Sequence, residues 1–233
     1  MATIVVVPTY NERDNLAEFV AGVKRHAKDC HILIVDDNSP DGTGELADGL
    51  VEQYPESVFA IHREKKEGLG RAYVCGFKAA LGMPYEFIAQ MDADLSHNPE
   101  HLPRLLDAAR SHDLVLGSRY IDGISVLNWD LKRLILSQLA SRYVRLITGM
   151  PFGDPTGGFK CWRRATLEAI DWDRVFANGY LFQVETTYKA YRKGCTVAEV
   201  PIVFQERRKG RSKIDWGIIF EALWGVLRLR LGV

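Results

Sequence analysis

Two carboxylates stand one residue apart in FIAQMDADLSHNPEHL, residues 87 to 102, where an apolar run gives way to a polar stretch containing proline. In a strand, side chains at i and i+2 share a face, so Asp92 and Asp94 would converge on one point past the strand's carboxyl end. Bare carboxylates at that spacing repel each other. A divalent cation relieves the repulsion, and hard oxygen ligands suit Mg2+ or Mn2+, which keep waters and complete their shell with substrate phosphate oxygens. A cation held in this way most naturally receives a diphosphate, and hence a nucleotide. The competing reading is an acidic surface loop. Neither common phosphate cradle is present: there is no G-x-x-x-x-G-K-[ST], and GLGRAYVCG (68 to 76) lacks the last glycine of G-x-G-x-x-G.

A basic set follows in chain order. GSRY (117 to 120) puts Arg119 directly after an apolar run, Arg133 opens the face of the next helix, and FQERRKGRSK (204 to 213) clusters Arg207, Arg208, Lys209, Arg211 and Lys213. Arginine at a strand end suits bidentate contact with phosphate. For Arg208, Lys209 and Arg211, composition alone favours a solvated face. His97 and His101 have a spacing that a metal can use. Without a third matching ligand, loop and helix-cap roles are preferred.

The elements that must position these groups are an alternation of short β-rich runs and amphipathic segments. Strands are predicted at 3–7, 31–35, 58–61, 86–91 and 113–117, separated by helices from Asp14, over 41–54, 71–81 and 99–111. Such alternation implies an α/β fold with a mostly parallel central sheet flanked by helices and right-handed crossovers. Sites then form outside the carboxyl ends of the strands, where Pro8, Asp36, Asp37 and Asp92 all fall. The second half is less regular: a helix over 129–148, the glycine-rich GDPTGGFKCWRR (153–164), a helix over 181–192 and a strand over 196–204. No Pro, Gly or Ser-rich linker interrupts the chain, so residues 1–213 read as one domain. Residues 214–233 read as an amphipathic helix with Trp216, Phe220, Leu223, Trp224, Leu227 and Leu231 on one face. That face suits either a membrane interface or packing on the body or a partner.

Bulk properties narrow the class. The 233 residues carry thirty Lys or Arg and thirty Asp or Glu, which gives no net field for nucleic acid. From Phe204 onward there are seven basic and three acidic residues, so that tail is +4 and the remainder −4. Cysteines 30, 75, 161 and 195 have no zinc-type spacing and read as buried thiols in a reducing compartment. No signal peptide or uninterrupted span of about 20 apolar residues is evident, so the expected location is cytoplasmic.

In this order, VVPTYNERDNL, VDDNSPDGT, EKKEGLGRAYVCGF, MDADLSHNP, GSRY, DPTGGFKCWRR, FQVE and RRKGRSK resemble the polyprenol-phosphate (dolichol-phosphate) mannose synthases, inverting family 2 glycosyltransferases with the GT-A fold. The resemblance runs from Val5 to about Lys213. It implies that Pro8, Tyr10, Glu12, Val35 and Asp37 hold the nucleotide, and that Asp92, Ala93 and Asp94 hold metal and diphosphate. Some members supply a Gln as a further metal ligand where this chain has Ser96. Arg119, Arg133, Arg207 and Lys213 map onto the family's phosphate-binding basic residues, with Gln183 and Glu185 in the acceptor region. The implied reaction is transfer of mannose from GDP-mannose to a polyprenyl phosphate, giving the β-linked lipid and GDP. The chain would act at the cytoplasmic face of a membrane, alone or with a membrane-anchoring subunit.

Three rivals are weighed. UDP-glucose as donor would use the same acidic motifs. A sugar nucleotidyltransferase should open with a glycine-rich loop after the first strand, and VPTYNE has none. A non-catalytic sugar-nucleotide-binding subunit has no need to keep both aspartates and all four basic positions.

Overall fold

The structure, a computed structural model, describes residues 2–205 and 216–231, with side chains in the last helix described from residue 223. Its first half is the expected alternation: β1 (Thr3–Thr9), α1 (Arg13–His26), β2 (Cys30–Asp36), α2 (Thr43–Gln53), β3 (Val58–His62), α3 (Leu69–Leu81) and β4 (Phe87–Gln90). A single 3-10 turn at Pro99–His101 leads into α4 (Leu102–Ala109), then β5 (Leu114–Ser118), a two-residue β6 (Val126–Leu127) and the long α5 (Leu131–Thr148). The chain continues through β7 (Lys160–Arg163), α6 (Arg164–Glu168), α7 (Tyr180–Arg192), β8 (Val197–Pro201), β9 (Phe204–Gln205) and α8 (Trp216–Leu231).

Seven strands form one sheet in the order β3-β2-β1-β4-β7-β5-β8, with β7 antiparallel to both neighbours and the other pairings parallel. The strands read as continuous apolar runs because both faces are covered. Ile4, Val6, Leu33, Val35 and Ile88 point into a core beneath α3, α6, α7 and α8, while Val5, Val7, Ile32, Ile34 and Ala89 point into a second core beneath α1, α2 and α4. Helix α3 lies very close to the sheet. A Cβ added at Gly76 would sit 2.4 Å from Val6 Cγ1, so only glycine permits this approach.

Three expectations change. The glycine-rich segment 153–164 contains strand β7, hidden because it is four residues long and holds a buried lysine in place of an apolar repeat. The strand expected over 196–204 divides into β8 and β9, the latter leaving the main sheet to pair with β6. The acidic pair is not on a strand face. Strand β4 ends at Gln90, and Asp92 and Asp94 lie in a turn whose direction is set by Leu95 in the left-handed region (φ 63°).

Helix α8 packs on the body. A Cβ at Gly225 would collide with Leu181 of α7, Tyr143 of α5 donates to the Leu223 carbonyl at 2.9 Å, and Arg228 lies 4.3 Å from the Phe176 ring centre. Val226 and Leu229 are buried, whereas Leu223, Trp224 and Leu231 face outward. The helix therefore has one face docked on the body and one face open. No helix among the described residues is long and apolar enough to cross a membrane.

Lys160 on β7 is fully buried, donating to the Gln183 carbonyl at 2.8 Å beside Thr186 Oγ1 at 3.4 Å. Burial pulls its ammonium down to about 7 from 10.5, against the opposing pull of Asp154 and Asp92. Between those values the unfolded chain binds a proton that the folded chain does not, so the cost of burying the charge is full below about pH 7 and fades as pH rises. Lys160→Met should therefore gain stability relative to the parent at pH 6 and lose most of that gain by pH 9.5, measured by thermal unfolding. A pH-independent difference would show that Lys160 titrates normally.

Candidate active site

The carboxyl ends of β1, β2 and β4 form one rim, and the loops leaving them are held in unusual backbone conformations. Asn11 (φ 60°), Asn38 (φ 55°) and Leu95 (φ 63°) each follow one of these strands in the left-handed region. Asparagine tolerates this conformation and leucine adopts it rarely. Surrounding structure must impose it at Leu95, as it does at functional turns elsewhere.

The imposition is visible around the acidic turn. Asp94 is buried, and its Oδ1 accepts from both the Ser96 amide (3.0 Å) and hydroxyl (2.6 Å). Half-buried Asp92 is gripped from two sides: Tyr73 of α3 donates its hydroxyl to Oδ1 at 2.8 Å, and the Asp92 amide donates to Nδ1 of buried His97 at 3.0 Å. Accepting at Nδ1 fixes His97 as the Nε2–H tautomer. Its ring stacks 5.3 Å from Phe159 and meets Phe204 edge-on at 5.6 Å. Burial and then the Asp92 charge push the Tyr73 hydroxyl well above its ordinary value, so it stays a donor. Ala93 turns into the core, leaving only its backbone to face a ligand.

Space opposite the turn is kept by Gly158, where a Cβ would lie 3.1 Å from His97 Cε1, 3.4 Å from Gln183 Nε2 and 3.5 Å from Asp92 Oδ2. A polar hollow lined by a carboxylate oxygen and cleared by glycine fits a hard cation completed by substrate oxygens. Among the described residues no cluster of three or more His, Cys, Asp or Glu offers an all-protein cage. Ser96 already serves Asp94 with its hydroxyl. His97 and His101 both accept backbone N–H groups, His101 from Val203 at 3.0 Å, in keeping with loop and cap roles.

On the β1–β2 side, Asp37 is buried and paired with Arg63, which also donates to Glu67 at 2.6 Å. Burial raises the Asp37 carboxyl despite that partner. Asp36 is the scaffold acid, accepting from Thr9 (2.9 Å) and Ser39 (2.6 Å). The Tyr10 ring lies under the Lys66 ammonium at 3.7 Å. Glu12 opens α1 with its carbonyl and accepts from the Asn15 side chain at 2.7 Å. Pro8 and Val35 are register partners inside the sheet. The Val35 side chain belongs to the core, so it reaches a ligand only through its backbone.

Across the hollow lies the basic side. Arg119 follows β5 and forms a buried fork with Asp154, Nε–Oδ2 2.6 Å and Nη2–Oδ1 2.7 Å, plus a bond to Thr156 at 2.9 Å. Burial alone would raise the Asp154 carboxyl, and the adjoining guanidinium reverses this and holds it low. Three of the five N–H donors of Arg119 are thus engaged by protein, which differs from the freely available phosphate ligand expected. Arg133 lies 4.3 Å from the Trp129 ring centre, with Arg119 5.6 Å from the same ring, so the structure does unite these two arginines. Buried Gln183 accepts from Gln90 at 2.6 Å. Glu185 is elsewhere: its fully buried carboxylate anchors the Ala177 amide (2.9 Å) and pairs with Lys189 (2.8 Å), a structural role within the 175–179 loop. Arg207 and Lys213 lie outside the described residues.

Beside this side runs an exposed apolar strip: Ile121, Ile124 and Leu127 on the loop, then Leu131, Ile135 and Leu139 one turn apart on α5. Exposed Lys132, Arg142 and Arg145 flank it on the same helix.

Sequence reasoning passed over Tyr73, Arg63, Asp154 and Trp129. Tyr73 hides in a helix whose apolar spacing reads as core, and Arg63 in a charged loop. Asp154 sits in the glycine-rich segment, where its acidity next to an arginine-bearing strand end was the available signal.

Residues 4–171 match the family described as Glycosyl transferase family 2. The chain belongs to that family and is a glycosyltransferase. Within it, the chain is 46% identical over 230 residues to a polyprenol monophosphomannose synthase of Mycolicibacterium smegmatis, covering 96% of this chain and 87% of the relative. It is 42% identical over 244 residues to an undecaprenyl-phosphate mannosyltransferase of Micrococcus luteus, covering all of both. The fold is shared with glucosyl-3-phosphoglycerate synthase of Mycobacterium tuberculosis: 16% identity and a TM-score of 0.73 over all of this chain and 80% of that one for the complex with phosphoglyceric acid. The complex of that enzyme with Mn2+, UDP-glucose and phosphoglyceric acid gives a TM-score of 0.69 at 17% identity, over the same shares of the two chains.

Tyr73→Phe should weaken Mn2+ binding in the presence of GDP by roughly tenfold, the usual effect of removing a group that orients a metal ligand; electron paramagnetic resonance titration measures it, and wild-type affinity would deny Tyr73 that role. Asp154→Ala leaves Arg119 buried and uncompensated and should cost about 3–5 kcal/mol in urea unfolding.

Proposed function

We propose that this chain transfers mannose from GDP-mannose to a polyprenyl phosphate with inversion, giving polyprenyl-phosphate-β-mannose and GDP. The observation that carries the reading is the joining of two unlike half-sites through Phe204, which meets His97 on one side and Trp129 and Arg119 on the other: an acidic turn after β4, and an arginine cluster after β5 beside an exposed apolar strip. Relatives at 42–46% identity, named for mannosyl transfer to polyprenyl phosphates, support this donor sugar and acceptor class.

Asp92, Asp94, Asp37, Tyr10, Glu12 and the backbone at Pro8, Val35 and Ala93 bind the nucleotide sugar, with Asp92 and Asp94 turned toward the diphosphate. Mg2+ or Mn2+ bound there supplies Lewis acidity toward the departing diphosphate. Tyr73 and His97 hold Asp92 in place throughout. On the basic side Arg119 and Arg133 draw the acceptor phosphate into line with the anomeric carbon; Arg207 and Lys213, outside the described residues, are assigned to phosphate binding on the sequence resemblance alone. The acceptor needs no strong general base, since a phosphate monoester is already largely dianionic at neutral pH. Its oxygen attacks C1, the C1–O bond to the diphosphate breaks, and GDP leaves with the electron pair.

The lipid chain leaves along the apolar strip of α5 and the 121–127 loop. The exposure of this strip beside Lys132, Arg142 and Arg145, with the outward face of α8, supports the reading that the enzyme rests peripherally on an anionic cytoplasmic leaflet.

Labelled mannose should pass from GDP-mannose to undecaprenyl phosphate, stop with EDTA, and be lost in Asp94→Ala. Excess UDP-glucose should not compete. Equal competition would replace the donor; binding of GDP-mannose without transfer to any prenyl phosphate would sink the acceptor assignment.

A further inference from the structure

Among the described residues, Trp129 carries the one buried side-chain nitrogen or oxygen that finds no hydrogen-bond partner, its indole Nε1. Leaving such a donor unmatched costs on the order of 1–3 kcal/mol, so native structures rarely do it without a use. Packing does not explain the residue. The ring meets Phe204 edge-on at 5.4 Å and lies just before Asp130, whose carboxylate caps α5 by accepting from the Arg133 amide at 2.7 Å. Phenylalanine would keep the edge-on contact with Phe204 without an orphaned N–H.

Two cations lie beside the ring that carries this donor. The guanidinium groups of Arg133 and Arg119 lie 4.3 Å and 5.6 Å from the ring centre, an environment that repels cations and attracts anions. Phe204 links the same indole to His97, and His97 is bonded to Asp92, so the ring stands two aromatic contacts from the acidic turn. An anion there would lie on the acceptor side of the reaction centre. Because Arg119 is already tied to Asp154 and Thr156, the cluster has fewer open donors than its two arginines suggest.

We propose that the Trp129 indole N–H donates a hydrogen bond to the acceptor's phosphate, beside Arg133 and Arg119, and so helps select an anionic lipid over a neutral one. This rests on the acceptor assigned above. The test is 15N NMR of the full chain, whose five tryptophans give five indole resonances, one of them removed in Trp129→Phe. Geranyl phosphate should move the Trp129 resonance downfield at concentrations where inorganic phosphate and geraniol leave it in place. In transfer assays Trp129→Phe should raise KM for geranyl phosphate roughly 10- to 100-fold, the value of a hydrogen bond to a charged group, with KM for GDP-mannose unchanged.

An unmoved resonance, an equal response to geraniol or to inorganic phosphate, or wild-type KM in Trp129→Phe would each overturn the proposal. A resonance that responds to geranyl phosphate while the wild-type chain transfers no mannose to it would uphold the phosphate contact and strike the mannosyl-transfer reading instead.

Discussion

For the proposed reaction Asp92 has to stay charged and stay still, and the two demands conflict. A carboxylate fully paired with a protein cation would be fixed but neutralised, while one left in water would wander through its rotamers. The fold resolves this with neutral groups. A tyrosine hydroxyl takes one carboxylate oxygen and a histidine nitrogen takes the backbone amide, so the position is set and the negative charge is retained. Tyr73 is in turn held between Phe182 and Phe77 at 5.8 Å and 5.6 Å, and His97 between Phe159 and Phe204. The hydrophobic cores on the two faces of the sheet thereby reach up to one oxygen atom.

The basic side is built on the opposite logic. Arg119 is neutralised by Asp154, which is itself fixed because Glu199 of β8 accepts the Gly153 and Asp154 amides at 2.7 Å and 2.9 Å. A buried ion pair adds little net stability, because the desolvation of two charges offsets most of their attraction. What it provides is a rigid guanidinium edge beside Trp129 and a defined path for the loop that carries Gly158 past the acidic turn.

Much of this was legible in the residues. Continuous branched runs announced the parallel strands because both sheet faces are buried, and the aspartate pair pointed to the turn past β4. The sequence did not disclose the left-handed turn at Leu95 that aims the aspartates, since that conformation is imposed by the surrounding structure and not by local preference. Strand β7 escaped for a related reason: Lys160 is tolerated inside only because Gln183 and Thr186 from α7 meet it, a contact between residues more than twenty positions apart. Glu185 shows the limit of reading from motifs. Its neighbour Gln183 reaches the hollow, but two residues along a helix point in different directions, and the glutamate caps a loop instead.

Strand β7 also governs the order in which the molecule can be assembled. β4, which delivers the acidic turn, and β5, which delivers Arg119, do not pair with each other; each pairs with β7, some seventy and forty-five residues later in the chain. During synthesis the block from β1 to β4 can form early, but it waits with an open edge, and β5 has no place in the sheet until β7 arrives. Closure is thus a late, non-local step of the kind that slows folding. Its benefit is an all-or-none product: by the time the ladder is complete, the acidic turn and the arginine cluster are already joined through the same strand.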